Sequence, residues 1–371
     1  MKPALALILL LNPGSTLQGA IILVASGSGA PIQRAINQAQ VGDIIEVGPG
    51  IYTGNIDFGN KAITLRSTAG PSVTTLNGNQ TGTTVRIGGN AEISGFTITG
   101  GKAIFGAGMA VAGTGTRIIN NIFRANVQED GGYGAAIGGN AASPFISGNI
   151  FTDNSSSSQA LSGTVSFVNA SSPIIENNLF FNNKGRGLNL TLPRGNSPFV
   201  TNNTFWGNTT AIRLDGAVDT SSVTFQNNIL GSNNLGFAID FLSGSNLAAW
   251  NNNLLFGNKS NYGGVDYTLG SLTGVNGNIE GNPLFLNPGS GDFRFVTGSP
   301  AIDAGRNVGA PMFDFVGNPR FFDGNSDGTA ITDIGAFEYI PEPTCGVLIF
   351  FSWVLALSRR RRFTCVRDSR S

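Results

Sequence analysis

An asparagine returns to the same place six times in this 371-residue chain. Asn121, Asn149, Asn178, Asn203, Asn228 and Asn253 are separated by 28, 29, 25, 25 and 25 residues. Five positions after each stands a second asparagine, at Asn126, Asn154, Asn183, Asn208, Asn233 and Asn258. A bulky apolar residue stands three positions before each anchor (Ile118, Ile146, Ile175, Val200, Phe225, Trp250), and another two positions after it (Phe123, Phe151, Phe180, Phe205, Leu230, Leu255). Disordered polar spacers do not hold aromatic residues in register. The pattern is that of a solenoid, whose units are too small to bury their own apolar faces and so stack on one another.

No helix fits inside the repeat. Segments such as 185–192 and 211–215 alternate apolar and polar residues between Asn, Gly and Ser corners, which is how short strands read. Leucine-rich repeats share the length and an asparagine ladder, but they need a leucine-spaced strand and a helical or tight-turn half. The expected fold is therefore all-β, a single-stranded parallel β-helix solenoid of roughly nine coils. Its coils lie about 4.8 Å apart, so anchor asparagines pass an amide hydrogen bond from coil to coil. On these residues the chain resembles the pectate-lyase-like superfamily, which implies a right-handed helix. Residues 21–275 are assigned to it, and Phe96, 25 residues before Asn121, takes the ladder position in the coil before the asparagines begin.

Pro31 opens a segment that places Ile32, Ala35, Ile36 and Ala39 on one helical face, with Gly42 beyond its end. Such a helix caps the first coil, whose strand edges would otherwise pair with other chains. The stretch from Ile32 through Ile44-Ile45-Glu46-Val47 and Pro49-Gly50-Ile51-Tyr52 is similar to the opening of many bacterial β-helix proteins. At the other end residues 276–340 are read as a small C-terminal cap module. There Asn282-Pro283-Leu284-Phe285, Gly298-Ser299-Pro300-Ala301-Ile302-Asp303 and Asp333-Ile334-Gly335-Ala336-Phe337 resemble the C-terminal region of the choice-of-anchor Q group of surface proteins. That resemblance implies a cell-surface location and no particular reaction.

Residues 1–20 read as a secretory signal peptide: Lys2, an apolar run from Ala4 to Leu11, a breaker at Asn12-Pro13-Gly14 and small residues to Ala20. The run is too short to span a bilayer. Gln18, three before the expected cut, fits the cleavage pattern poorly, and a buried strand is the alternative. In residues 341–371, Pro341-Glu342-Pro343 precedes an apolar stretch from Cys345 to Leu357 and then Arg359, Arg360, Arg361 and Arg362. This order resembles the PEP-CTERM sorting signal, which implies an exosortase-type enzyme as partner. It also implies transient passage through the inner membrane and a mature protein at the cell surface or outside the cell. The apolar stretch is short for a span and residues 363–371 extend past the arginines, so a retained membrane anchor is the alternative.

Charged residues make up 12% of the chain. Outside the two terminal segments 15 basic face 20 acidic residues, so the body is mildly acidic and nothing in it points to nucleic acid. Both cysteines, Cys345 and Cys365, lie in the tail, and there is no histidine. Disulfides in the body, thiolate or histidine metal sites and Ser-His-Asp triads are thereby excluded.

Candidate site residues follow from strand alternation. If Leu190, Ile212, Leu214, Ile239 and Phe241 point inward, Asn189, Arg213 and Asp240 stand outward in three neighbouring coils, with Arg186 and Asp215 close by. Arg186, Asn189, Arg213 and Asp240 form the candidate glycan-binding set. Arg213 with Asp215 and Asp240 is the candidate catalytic set, because an arginine between carboxylates can serve as a lyase base or hold a uronate in a two-point contact. An ordinary solvated ion pair is the alternative. The histidine-containing motifs of polygalacturonases and of the best-known pectate lyases are absent. The expected role is structural, adhesive or polysaccharide-binding, with extracellular polysaccharide as partner; a lyase or hydrolase acting on an acidic glycan is the alternative. Finally, Asp323-Gly324-Asn325-Ser326-Asp327-Gly328 has the spacing of a Ca²⁺ loop, with Asp323, Asn325 and Asp327 as ligands and Asp333 one residue early as the closing carboxylate. A plain Asn/Gly/Asp turn cluster is the alternative.

Overall fold

In the coils that carry the asparagine ladders, two of the bends sit on a residue in the left-handed region immediately before a ladder asparagine. Asn120, Asn177, Asn202, Asn227 and Asn252 have φ between 49° and 55° and precede the first ladder; Ala125, Asp153, Asn182 and Ser232, with φ between 52° and 56°, precede the second. Asparagine tolerates this conformation better than other residues with a Cβ, which explains why so many anchors are doubled. The computed structural model describes residues 19–25, 30–156, 161–191, 196–215, 223–233, 235–240, 249–262 and 272–341, with backbone alone at 215 and 235–240. The signal-peptide residues 1–18, Phe241, Glu342, Pro343, both cysteines and Arg359 to Arg362 lie outside these residues.

The bends divide every coil among three parallel faces. The first runs from Ile21–Val24 to Ala249–Asn251, and the second is a 10-stranded sheet from Gly50–Thr53 to Ile279–Glu280. The third runs from Ile56–Asp57 to Leu235–Asp240. Two long strands, Met109–Ile119 and Ile137–Ser147, continue from the third face into the first face of the next coil, fusing those faces into one 16-stranded sheet. The chain is the all-β parallel solenoid of about nine turns that the repeat predicts.

Inside, Phe123, Phe151, Phe180 and Phe205 stack with centroids 5.1, 4.5 and 4.5 Å apart, and Leu230 and Leu255 complete that fully buried column. Beside it the ladder starts where Phe96 N donates to Asn121 Oδ1 (3.0 Å). It extends one rung past the six anchors, to Asn278, whose Oδ1 accepts from Asn253 N (2.9 Å). Asn203 shows a complete rung. Its Oδ1 accepts from Asn178, and its Nδ2 donates to Asn228 Oδ1, Ile175 O and Thr201 O at 2.9 to 3.0 Å. Asn203→Ala should cost about 1–3 kcal/mol for the buried groups left unsatisfied, read as a lower denaturant midpoint at unchanged slope.

The capping helix forms at Pro31–Gln38 and buries Ile32, Ala35 and Ile36. Lys61 Nζ donates to Ile36 O, Asn37 O and Ala39 O (2.7, 2.9 and 2.9 Å), placing a cation on the orphan carbonyls at the helix end.

The C-terminal region differs from the expected end cap. The solenoid continues past residue 275, since Ile279–Glu280 pairs with Leu254 and Leu255. The chain then runs back along the side of the stack at the first corner. There the left-handed asparagines of four successive coils each donate a side-chain amide to it: Asn177 to Phe313 O, Asn202 to Asp333 O, Asn227 to Arg306 O and Asn252 to Ala304 O, at 2.7 to 3.0 Å. Phe293, Phe295, Ala301, Ile334, Ala336 and Phe337 bury with Leu179, Ile229 and Leu254 of the second face. The region is a strap laid across coils, and the paired asparagines hold it.

Candidate functional site

The site arises where coils differ in length between the second ladder and the third face. The links from Asn126 to Ile137 and from Asn154 to Val165 are more than twice as long as the link from Asn183 to Leu188. The described parts of the two long links, 126–137 and 154–156 with 161–165, form one side of a cleft, its wall, and the shorter coils that follow form its floor. The resulting cleft has a volume of about 780 Å³, with Gln128, Asp130, Ser155 and Ser156 on the wall side and Lys184, Gly185, Arg186, Thr209, Thr210 and Arg213 on the floor. Isolated parallel bridges from Val127 to Ser155 and from Ser155 to Lys184 tie wall to floor. Ser156 N donates to Lys184 O (2.8 Å). This approach requires glycine at 185, which has φ +117° and whose added Cβ would lie 2.0 Å from Ser156 Oγ.

Three cations converge here. Lys184 is exposed and makes no ion pair among the described residues, and Arg213 is half-buried. Arg186 is buried, and its Nη1 donates to Ser162 O (2.9 Å), which fixes the guanidinium on the cleft side of the corner. Asp130 is exposed and is the one carboxylate among the described lining residues. The cleft thus offers more positive than negative charge together with a row of hydroxyls and one amide, which suits an anion carrying many hydroxyls.

The expected set is partly brought together. Arg186 and Arg213 share the cleft. Asn189 pairs with Arg213 and faces outward, as alternation requires, but it is fully buried, its Nδ2 donating to Leu161 O and Ser166 Oγ (both 3.3 Å). The segment at Leu161 covers it, so it is a support of the third face and not a groove residue. Asp240 does not stand beside Arg213. Register pairs Arg213 with Ala238 and Asp215 with Asp240, two residues further along the strand. Lys184 and the hydroxyl row escaped the alternation argument because they sit at a corner, where alternation does not apply. The signal that marks them is the position directly after a second-ladder asparagine, which Lys184 and Thr209 share.

The calcium arrangement is not assembled. Asp323 accepts from Asp327 N and Gly328 N (3.0 and 2.9 Å), and Asn325 Oδ1 accepts from Asp327 N (2.8 Å), so these oxygens close a turn. Asp333 is 1% exposed and its carboxylate accepts from Asp303 N and Tyr339 N. Among the described residues no cluster of three acidic side chains fit to hold a metal is formed. Asp323, Asn325 and Asp327 thus serve a tight turn here, and Asp333 is engaged by backbone N–H groups of other segments.

Asp333 instead belongs to a buried charge cluster in the strap. Arg320 and Glu338 are both fully buried and meet at 3.2 Å. Arg320 also donates to Asn177 Oδ1, Gly335 O and Ala336 O (2.7, 3.0 and 3.0 Å). Desolvation, and then the neighbouring Glu338, push Asp333 up from 3.8 to about 8; desolvation also raises Glu338. The folded strap therefore holds a proton that the unfolded chain releases. Its contribution to stability is full below the unfolded value near 4 and is lost as pH rises through about 8. Melting temperature should accordingly fall between pH 4 and pH 8, and Asp333→Asn should flatten that slope.

A family model described as "Right handed beta helix region" matches residues 61–212 and 165–279, which together cover more than half of the chain. No curated protein matches it. Solved structures similar in fold include pectate lyase Pel9A, at 14% identity over 86% of this chain and 96% of that one, with a TM-score of 0.43. The PL6 family alginate lyase AlyGC is 15% identical over 64% of this chain and 32% of that one, with a TM-score of 0.33. The pectin methylesterase from Aspergillus niger is 12% identical over 70% of this chain and 94% of that one, with a TM-score of 0.31. With its three parallel faces and continuous ladders, and on the extent of the family match, this chain belongs to the right-handed β-helix family.

Proposed function

We propose that this is an exported surface protein that binds an acidic polysaccharide in the cleft beside the third face. The observation that carries this reading is the convergence of Lys184, Arg186 and Arg213 on an open cleft lined by Ser155, Ser156, Thr209 and Thr210. A volume of about 780 Å³ accommodates a short run of sugar rings. Guanidinium groups recognise carboxylates in a planar two-point contact, and hydroxyl and amide groups take the ring oxygens. Hydrolysis of a glycoside takes two carboxyl groups flanking the bond, whereas the described lining has Asp130. That composition favours binding over hydrolysis.

Polygalacturonate and alginate are suitable probes, with a neutral glucan as control. The protein should retain both polyuronates and not the glucan, and retention should weaken as salt is raised. Lys184→Gln with Arg213→Gln should reduce affinity by roughly 10- to 100-fold, the loss of two charge-assisted contacts. Equal retention of charged and neutral polymers, unchanged by the double substitution, would sink the reading.

Export and sorting rest on the two terminal segments. The mature protein is expected to lack the segment after Pro343, and Glu342→Ala is expected to leave the precursor in the inner membrane. Mass spectrometry of surface-released protein checks both, and recovery of a mature product ending at Ser371 would exclude the processing.

A further inference from the structure

We infer that Phe105 and Tyr133 form a stacking subsite for an uncharged sugar ring on the coils that lead up to the cleft, beyond its lining on the side away from the floor, so that the glycan which fits this protein is a mixed polymer of acidic and neutral residues. The inference rests on the cleft being the glycan site. Lys102–Phe105 and Val127–Tyr133 pair in parallel, with Ala103 opposite Gln128 and Phe105 opposite Tyr133. The two residues from Ala103 to Phe105 thus match five from Gln128 to Tyr133, and the surplus at Glu129, Asp130 and Gly131 loops out into solvent. Tyr133 consequently returns to within two strand steps, about 7 Å, of Gln128 on the cleft wall.

The two rings lie 4.9 Å apart, tilted by 45°. Phe105 is 50% exposed and its neighbour Ile104 is 44% exposed. Leaving this much apolar surface in water forgoes the favourable burial that aromatic side chains normally supply. The pair is nonetheless held firmly in place. Gly106 N donates to Tyr133 O (3.0 Å), and a Cβ at Gly132 would lie 1.7 Å from Ile104 O, so the strands close together only because residue 132 is glycine. An exposed Phe105 backed by the half-buried Tyr133 is suited to the apolar C–H face of a pyranose.

Charge sets which sugar it takes. The exposed carboxylates Glu129 and Asp130 project from the bulge between Gln128 and Tyr133, whereas Lys184, Arg186 and Arg213 lie on the floor side of the cleft. Beside the aromatic pair the carboxylates Glu129 and Asp130 outnumber the exposed Lys102, so a uronate there would face net like charge, and a uronate on the floor would face opposite charge. A chain with a neutral ring on Phe105 and an acidic ring near Arg213 satisfies both.

The test is calorimetric titration of the full-length protein with two hexasaccharides, one of uronic acid alone and one alternating uronic acid with a neutral hexose. Phe105→Ala should weaken the alternating ligand by roughly tenfold, while changing the uronic homopolymer less than about twofold. Phe105→Tyr should restore the alternating ligand, and melting curves of both variants should match the wild type. Equal loss for both ligands, or loss for neither, overturns the subsite while leaving the cleft as the acidic-glycan site. Binding of the uronic homopolymer alone likewise overturns the subsite and leaves the cleft, and binding of neither hexasaccharide overturns both.

Discussion

Phe205→Ala is expected to destabilise the protein by about 3–5 kcal/mol, more than the loss of any single ladder asparagine. Its ring is fully buried and lies 4.5 Å from that of Phe180 at an interplanar angle of 13°. In a globular core the neighbours of a deleted ring relax partly into the space. Here the backbone on either side is pinned by Asn203 and Asn208, whose amides bond the coils before and after. Collapse is therefore opposed and most of the cavity should persist. A denaturant midpoint lowered at unchanged slope would show this, and a midpoint equal to that of the wild type would place the ring outside the load of the core.

Arg320→Met should cost a similar amount, about 3–5 kcal/mol, because breaking a buried ion pair leaves an uncompensated charge. The guanidinium neutralises Glu338 and also satisfies Asn177 Oδ1, Gly335 O and Ala336 O. Methionine fills comparable space and supplies none of those donors. The damage should be local to the strap. Limited proteolysis is expected to cleave between residues 281 and 339 in the variant while the coils before residue 178 stay protected. Uniform loss of protection along the solenoid would show instead that strap and coils unfold as one unit.

The stack itself was legible because a solenoid writes its geometry into the period of its sequence. Asn278 stands 25 residues after Asn253 and adds a rung, but the pattern there is incomplete because Pro283 occupies the position of the second asparagine. The misplacement of Asp240 has a similar source. Counting 25 residues from Arg213 gives Ala238, and from Asp215 gives Asp240, which is the register observed. Alternation told which way Asn189 points but not what lies over it, since cover comes from Leu161 in the preceding coil. The 323–328 segment is ambiguous for a different reason. Aspartates at alternate positions beside glycine serve a tight turn as well as they serve a metal, and spacing cannot separate the two uses. The strap was the least legible element. Its partners are the asparagines one position before the ladder, which read from sequence as left-handed corners and nothing more.

Those corner asparagines also bear on how this chain can vary. The four coils that the strap spans are linked to it at Asn177, Asn202, Asn227 and Asn252, each 25 residues from the last. An extra coil among them would put at least one of the four amides against the wrong carbonyl, so duplication there is penalised wherever it falls. Among the described residues the coils ahead of Asn177 show no such tether, and they are the ones with the 28- and 29-residue intervals and the long links that wall the cleft. One end of the molecule is thus gauged to a fixed length, while the other is free to lengthen its arches and reshape what it binds.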